Sequence, residues 1–157
     1  MKAILFEPKY QKAVLELNEL ALKRSKYIGK TVDSNWHDDL VKIKELYLDN
    51  NGAFLLWLVG DKLIGMGGLL KVDTNTANIK RIRVHPDYQH KGLSSEILAE
   101  LEKRARVLGY NRLITNVAKG NIPAEKMFLK ANFKPVEEKH FFSVLCTVFE
   151  KKCEVLY

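Results

Sequence analysis

Two cysteines, Cys146 and Cys153, are all that 157 residues contain, too few and too isolated for a disulfide framework or a thiolate metal site. No apolar run approaches the roughly 20 residues that cross a bilayer. The N-terminus, M-K-A-I-L-F-E-P, carries one lysine and a short apolar run before it turns charged. A secretory leader is therefore not expected, and a cytoplasmic protein is. There is no internal repeat, low-complexity tract or linker composition. Neither G-x-G-x-x-G after a first strand nor the P-loop G-x-x-x-x-G-K-[ST] occurs, which sets aside the two commonest glycine cradles for nucleotides. Zinc-ligand spacing, a recognition-helix motif and paired basic-aromatic strands are missing too, which argues against nucleic-acid binding. Acidic residues are the scarcer charge, 19 against 26 basic, leaving a net charge of +7. Such a balance favours an anionic ligand without choosing one.

What is present is a soluble composition, 46% apolar and 29% charged, expected to form one domain over residues 1–157. Ala3 to Phe6 reads as a strand. The recurrence of Ala13/Val14, Leu17 and Leu20/Ala21 marks one buried helical face after Pro8. A second helix is expected near Asp38, with Leu40, Ile43, Leu46 and Tyr47 inward. Ala53 to Val59 reads as a central strand, paired through Gly60-Asp61 with Leu63 to Leu70. Gly65, Gly67 and Gly68 inside that partner signal a bulge or a close backbone approach. From Asn78 to Val84 the residues alternate, with Ile79, Arg81 and Arg83 opposite Asn78, Lys80, Ile82 and Val84. Neither set is cleanly apolar, so one face is expected to line a site.

Ser94 to Leu108 carries a helical stripe of Ile97/Leu98, Leu101, Ala105 and Leu108, with Gly109 at its end. Arg112 to Val117 reads as a strand. Asn121 is placed to cap a helix whose apolar side is Ala124, Met127/Phe128 and Ala131. Phe133 to Val136 and Phe142 to Phe149 read as final strands, joined by a Glu137-Glu138-Lys139-His140 turn. The sum is an α/β chain with a mixed sheet and helices on its faces.

Between strand and helix runs V-H-P-D-Y-Q-H-K-G-L-S, a connection that turns backbone N–H groups outward at a helix N-terminus. Its Gln89-His90-Lys91-Gly92-Leu93-Ser94 resembles the signature of the GNAT superfamily of acetyl-CoA-dependent N-acetyltransferases. Asn121, Ala124, Phe128 and Phe133 are similar to that superfamily's second pattern, and the order of elements agrees from residue 3 to 149. The resemblance implies a mostly antiparallel sheet splayed between its fourth and fifth strands. It also implies acetyl-CoA as cosubstrate and a small-molecule or peptide amine as acceptor, with a homodimer as the default assembly; the residues themselves lead us to expect no metal and no membrane.

Carried over residue by residue, the resemblance sets the amides of His90, Lys91, Gly92, Leu93 and Ser94 on the pyrophosphate, with Gln89 opening the loop. Pantetheine would pair along Ile82 to Val84, with the Val84 N–H facing the thioester carbonyl as oxyanion donor. Asn121, counted with Val84 as catalytic, would contact the pantetheine or the turn beside it, Phe128 would pack near the sulfur, and Lys91, Lys126 and Lys130 would meet phosphates. Tyr27, Trp36 and His37 fall where the superfamily lines its acceptor pocket. Three positions depart from the pattern, the first being Ser94 in place of the usual small Gly or Ala, where its hydroxyl could donate to a phosphate. Phe128 stands where members usually carry a Tyr that protonates the leaving thiolate, and Asn78 stands where many carry a Glu base. Direct attack by a neutral primary amine in a ternary complex is the expected mechanism, and Cys146 and Cys153 are not expected to act as nucleophiles. The alternatives are an acyl-CoA-binding regulator that transfers nothing and a basic nucleic-acid-associated protein. Arg81 and Arg83 read either as salt-bridged sheet residues or as partners of an anionic acceptor.

Overall fold

In a computed structural model, residues 1–23 and 34–155 are described, and they form a seven-stranded sheet flanked by helices. The chain order is β1 (Lys2–Leu5), α1 (Gln11–Lys23), α2 (Ile43–Leu46), β2 (Ala53–Val59), β3 (Lys62–Lys71), β4 (Thr76–Val84), α3 (Leu93–Leu108), β5 (Arg112–Ala118), α4 (Ile122–Lys130), β6 (Lys134–Phe141) and β7 (Val144–Lys152). Strands lie in the order β1-β2-β3-β4-β5-β7-β6. Every neighbouring pair is antiparallel except β4 and β5.

The period-two alternation of β2 divides the core into two layers. Ala53, Leu55 and Trp57 pack with Ile97, Leu98 and Leu101 of α3, whereas Phe54, Leu56 and Leu58 pack with Val14 and Leu17 of α1 and with Ile43. Covered on both faces, β2 needs no polar residue, hence its continuous apolar run. It is the second strand from the β1 edge rather than the middle of the sheet. The β3 glycines let both layers close in. A Cβ on Gly67 would stand 2.6 Å from Ile97 Cγ2, and one on Gly68 would stand 2.7 Å from Tyr47 Cε1.

Three expectations are corrected. The helix expected from Asp38 is a 3-10 helix, Ser34–Val41, followed by the single turn of α2; Leu40, Ile43 and Tyr47 are nonetheless buried. Glu137 to His140 is not a turn but part of β6, whose residues are exposed because it is the sheet's outer edge. Charges on an edge strand are tolerated and discourage edge-to-edge pairing. The turn lies instead at Phe142-Ser143, both at positive φ (49° and 66°), a hairpin geometry that the sequence does not advertise with Asn or Gly.

The third correction concerns β4. Its register against β3 shifts between Met66 and Gly68, and Arg81 opposite the shift has φ 60°. This bulge reverses the alternation halfway along the strand. Ala77, Ile79, Ile82 and Val84 pack on the α3 side. Lys80, Arg81 and Arg83 face the other layer, where Arg81 meets Asp39 and Arg83 meets Asn18 of α1. Asn78, two residues before Lys80 in regular register, shares that face.

Candidate active site at the parted strands

β4 and β5 pair only at Thr76–Arg112, Ala77–Leu113 and Asn78–Ile114. Beyond that point they diverge. Thr115 Oγ1 donates to the Ile79 carbonyl at 3.0 Å, satisfying the β4 group at the fork, and the bulge at Arg81 carries the rest of β4 away. The gap widens into a cleft of about 570 Å³ that reaches both faces of the sheet. Its size is ordinary for a small-molecule site.

The Val84 backbone aims into this gap. The His85 N–H donates to the Ile64 carbonyl at 2.8 Å, so the adjacent Val84, opposite Gly65, belongs to the non-hydrogen-bonded set. Such a residue turns its N–H and C=O away from the paired strand, here toward the parted β5 edge. Gln89 Nε2 donates to the Val84 carbonyl at 3.2 Å, tying the following loop to the strand end. Ile82 presents the same edge, and its carbonyl accepts from Arg83 Nη1 at 3.1 Å.

The loop makes one 3-10 turn, Pro86–Tyr88, started by His85, whose Nδ1 accepts the Asp87 N–H at 3.1 Å. His90 (φ 62°) and Gly92 (φ 81°) then take left-handed conformations on either side of Lys91. α3 starts one residue earlier than expected, at Leu93, and no side chain caps it. Its first N–H groups have no partner within the helix, and the helix dipole adds positive potential at the mouth of the cleft. Gly92, Leu93 and Ser94 line that mouth.

Of the residues marked from sequence, Ile82, Val84, Gln89, His90, Gly92, Leu93, Ser94, Asn121 and Phe128 converge on this one cleft. Lys91, Lys126 and Lys130 do not line it; they are exposed, and the Lys91 ammonium lies 5.5 Å from the Tyr88 ring centre. Asn121 caps α4, its side chain accepting the Ala124 N–H at 3.3 Å. Phe128 is buried edge-on against Phe133 at 5.2 Å and stacked near Phe149, a purely apolar wall. Tyr27 lies outside the described residues. Trp36 and His37 fall in the 3-10 helix Ser34–Val41, and their side chains lie outside the description.

Three further features line the cleft; the sequence misses Cys146 and Lys80 there, whereas it marks Asn78, Arg81 and Arg83. Cys146 of β7 lines the cleft; burial pushes its thiol up, and the Sγ–H donates to the Val144 carbonyl at 3.7 Å, so the sulfur stays protonated. Asn78 also lines the cleft, with a buried Oδ1 that accepts no hydrogen bond. Lys80, Arg81 and Arg83 line the face away from α3, and no Asp or Glu does so among the described residues. Only the bulge, invisible to a strict period of two, gathers these three on one side.

Among the described residues no cluster of three metal-ligating side chains occurs, and no helix is long and apolar enough to cross a membrane. Comparison with known proteins points the same way as the geometry. The chain is 30% identical over 82 residues to the uncharacterized N-acetyltransferase YsnE of Bacillus subtilis, a stretch covering 50% of this chain and 53% of that protein. It therefore spans about half the length of that relative. An acetyltransferase of the GNAT family from Staphylococcus aureus shares the fold, with TM-score 0.85 and 17% identity over 96% of this chain and 98% of that one. The yncA protein of Salmonella typhimurium, solved with its cofactor acetyl-CoA, does so with TM-score 0.76 and 16% identity over 97% and 93% of the two chains. The acetyltransferase (GNAT) family profile matches residues 16–133. With well over half its length so matched, and with this parted sheet, the chain belongs to the GNAT acetyltransferase family.

Proposed function

We propose that the protein transfers the acetyl group of acetyl-CoA to a primary amine by direct attack within a ternary complex. One observation carries this reading. The Val84 N–H faces a gap between parted strands whose mouth is the uncapped N-terminus of a sixteen-residue helix. An amide-bearing arm can pair along the free β4 edge while its diphosphate meets the α3 amides. Gly92 suits this because its φ of 81° is left-handed and no atom lies within 4 Å of where its Cβ would be, leaving room for phosphate oxygens.

In the reaction the neutral amine nitrogen attacks the thioester carbonyl carbon. The oxygen gathers negative charge, which the Val84 N–H is positioned to stabilise. The C–S bond then breaks, the nitrogen loses its second proton, and the CoA thiolate leaves and is protonated. Phe128 cannot supply that proton. Holding both substrates in one cleft supplies much of the acceleration.

Calorimetric titration with acetyl-CoA tests the binding, and thiol release across a panel of amines tests the transfer. Saturable binding and amine-dependent thiol release are expected. Absence of any binding heat for both CoA and acetyl-CoA would overturn the reading. Because Phe128 and Asn78 replace a proton donor and a base, a second reading is an acyl-CoA-binding protein without turnover. Tight binding with no release to any amine would favour it.

A further inference from the structure

Among the described residues, the face of the cleft away from α3 has more basic groups than acidic partners. Arg81 is engaged by Asp39, which also accepts from the Tyr47 hydroxyl at 2.6 Å, so that carboxylate already takes three donors and is shared among several cations. Arg83 is half-buried and, among the described residues, bonded only to neutral acceptors, the Asn18 Oδ1 at 3.0 Å and the Ile82 carbonyl at 3.1 Å. A guanidinium has five N–H donors, so most of its capacity is unused. Lys80 is half-buried and makes no hydrogen bond or ion pair among the described residues. Burial pushes its ammonium pKa down, and burial together with Arg81 pushes that of Arg83 down to about 10, with the nearby Asp39 offsetting only part of either shift. Both side chains thus sit where charge is costly without a counter-ion. On the same face, Asn78 offers a buried carbonyl oxygen that accepts nothing. The helix mouth assigned to the diphosphate lies on the opposite side of the sheet, so this second positive region is not needed there.

We propose that the amine accepted here also carries an anionic oxyacid group, a carboxylate or a phosphate, seated against Arg83 and Lys80 with its nitrogen turned toward the gap that Val84 faces. The proposal rests on the acetyl-transfer reading and names the substrate class for it. Free α-amino acids and phosphate-bearing small amines are the two sources of this chemistry. Polyamines, bearing only positive charge, are excluded by it.

The test compares free α-amino acids with their carboxamides, and O-phosphoethanolamine with ethanolamine, with putrescine as the cationic control. Thiol release and calorimetric binding are both read, the latter with and without saturating CoA. Anionic amines are expected to exceed their uncharged counterparts in kcat/KM by about tenfold or more, the scale of one charge-assisted hydrogen bond. Which pair shows the larger gap distinguishes carboxylate from phosphate. Arg83→Gln is expected to raise KM for the anionic amine about tenfold while leaving KM for acetyl-CoA and for the carboxamide in place. Lys80→Gln is the second variant, since it disturbs no contact to α1, and circular dichroism reports whether each variant folds.

Preference for carboxamides or putrescine overturns the proposal, as does equal loss of anionic and neutral amines in both folded variants. If no amine reacts but anionic amines still bind and Arg83→Gln abolishes it, acetyl transfer fails and the anion site stands. If neutral amines react and anionic ones neither react nor bind, the reverse holds.

Discussion

The Asp39 carboxylate and the Arg81 guanidinium form a two-pronged pair, with Nη2 2.5 Å from Oδ1 and Nε 3.1 Å from Oδ2. The pair reaches from a 3-10 helix to the one left-handed residue of β4, so it holds the bulge that separates β4 from β5. A non-glycine residue at φ 60° costs of order 1–3 kcal/mol and persists only when its surroundings demand it. Asp39 is the visible reason for that demand.

Asp39→Asn is therefore expected to destabilise the protein by about 3–5 kcal/mol, because it removes the negative charge set against a buried guanidinium. Urea denaturation at neutral pH checks this, and a loss below about 1 kcal/mol contradicts the clamp.

The same pair sets an acid limit. Burial raises the Asp39 pKa, but the bonds from Arg81 and Tyr47 outweigh it and hold the carboxyl below 3.8. A carboxyl depressed in the folded state binds fewer protons there than in the unfolded chain. Its stabilisation is present above the unfolded value and is lost as pH falls through the lowered one. The stability gap between wild type and Asp39→Asn should be constant above about pH 5 and shrink below about pH 4, as denaturation followed from pH 7 to pH 3 would show.

Lys80→Met carries the opposite sign. With burial lowering its pKa, Lys80 holds fewer protons when folded, so wild-type stability should rise with pH between the lowered value and 10.5. The methionine variant should lack that rise and be more stable at neutral pH by about 1 kcal/mol. Thermal melts of both proteins at pH 7 and pH 10 measure it. No gain at pH 7 would show that the ammonium is well compensated in the free protein.

Gly92→Ala separates binding from folding. The left-handed φ of 81° costs an alanine roughly 1 kcal/mol, and nothing in the free protein clashes with the new methyl. Affinity for CoA should fall by more than about tenfold, since the methyl enters the space assigned to phosphate. Equal affinity would move the diphosphate elsewhere.

Gly67→Ala probes the sheet beneath α3. Its Cβ would lie 2.6 Å from Ile97 Cγ2 and 2.9 Å from Leu101 Cδ1, so the helix must lift. A loss of about 1–3 kcal/mol is expected in urea, the scale of overpacking a core. No loss would mean that α3 is free to shift.

Much of this was legible along the chain because local rules were enough. The apolar run of β2, the stripe of α3 with Gly109 ending it, the Asn121 cap and the loop around Gly92 each have a cause within a few residues. Charges at Glu137 to His140 misled because a turn and an edge strand are both exposed, and only pairing with β7 separates the two. Phe142-Ser143 has no turn chemistry at all; the hairpin forces it.

What the amino-acid order determined on its own was the succession of elements and the backbone loop that opens α3, since periodicity, capping and glycine act over one or two turns. Tertiary structure alone decided which faces of β4 look where. A single extra residue opposite Gly67 reverses its alternation, and that residue stays in place because Asp39, forty-two positions away, holds its charge. Asn78, Lys80 and Arg83 share one wall of the cleft for that reason, a consequence of charge pairing across the sheet that no local pattern records.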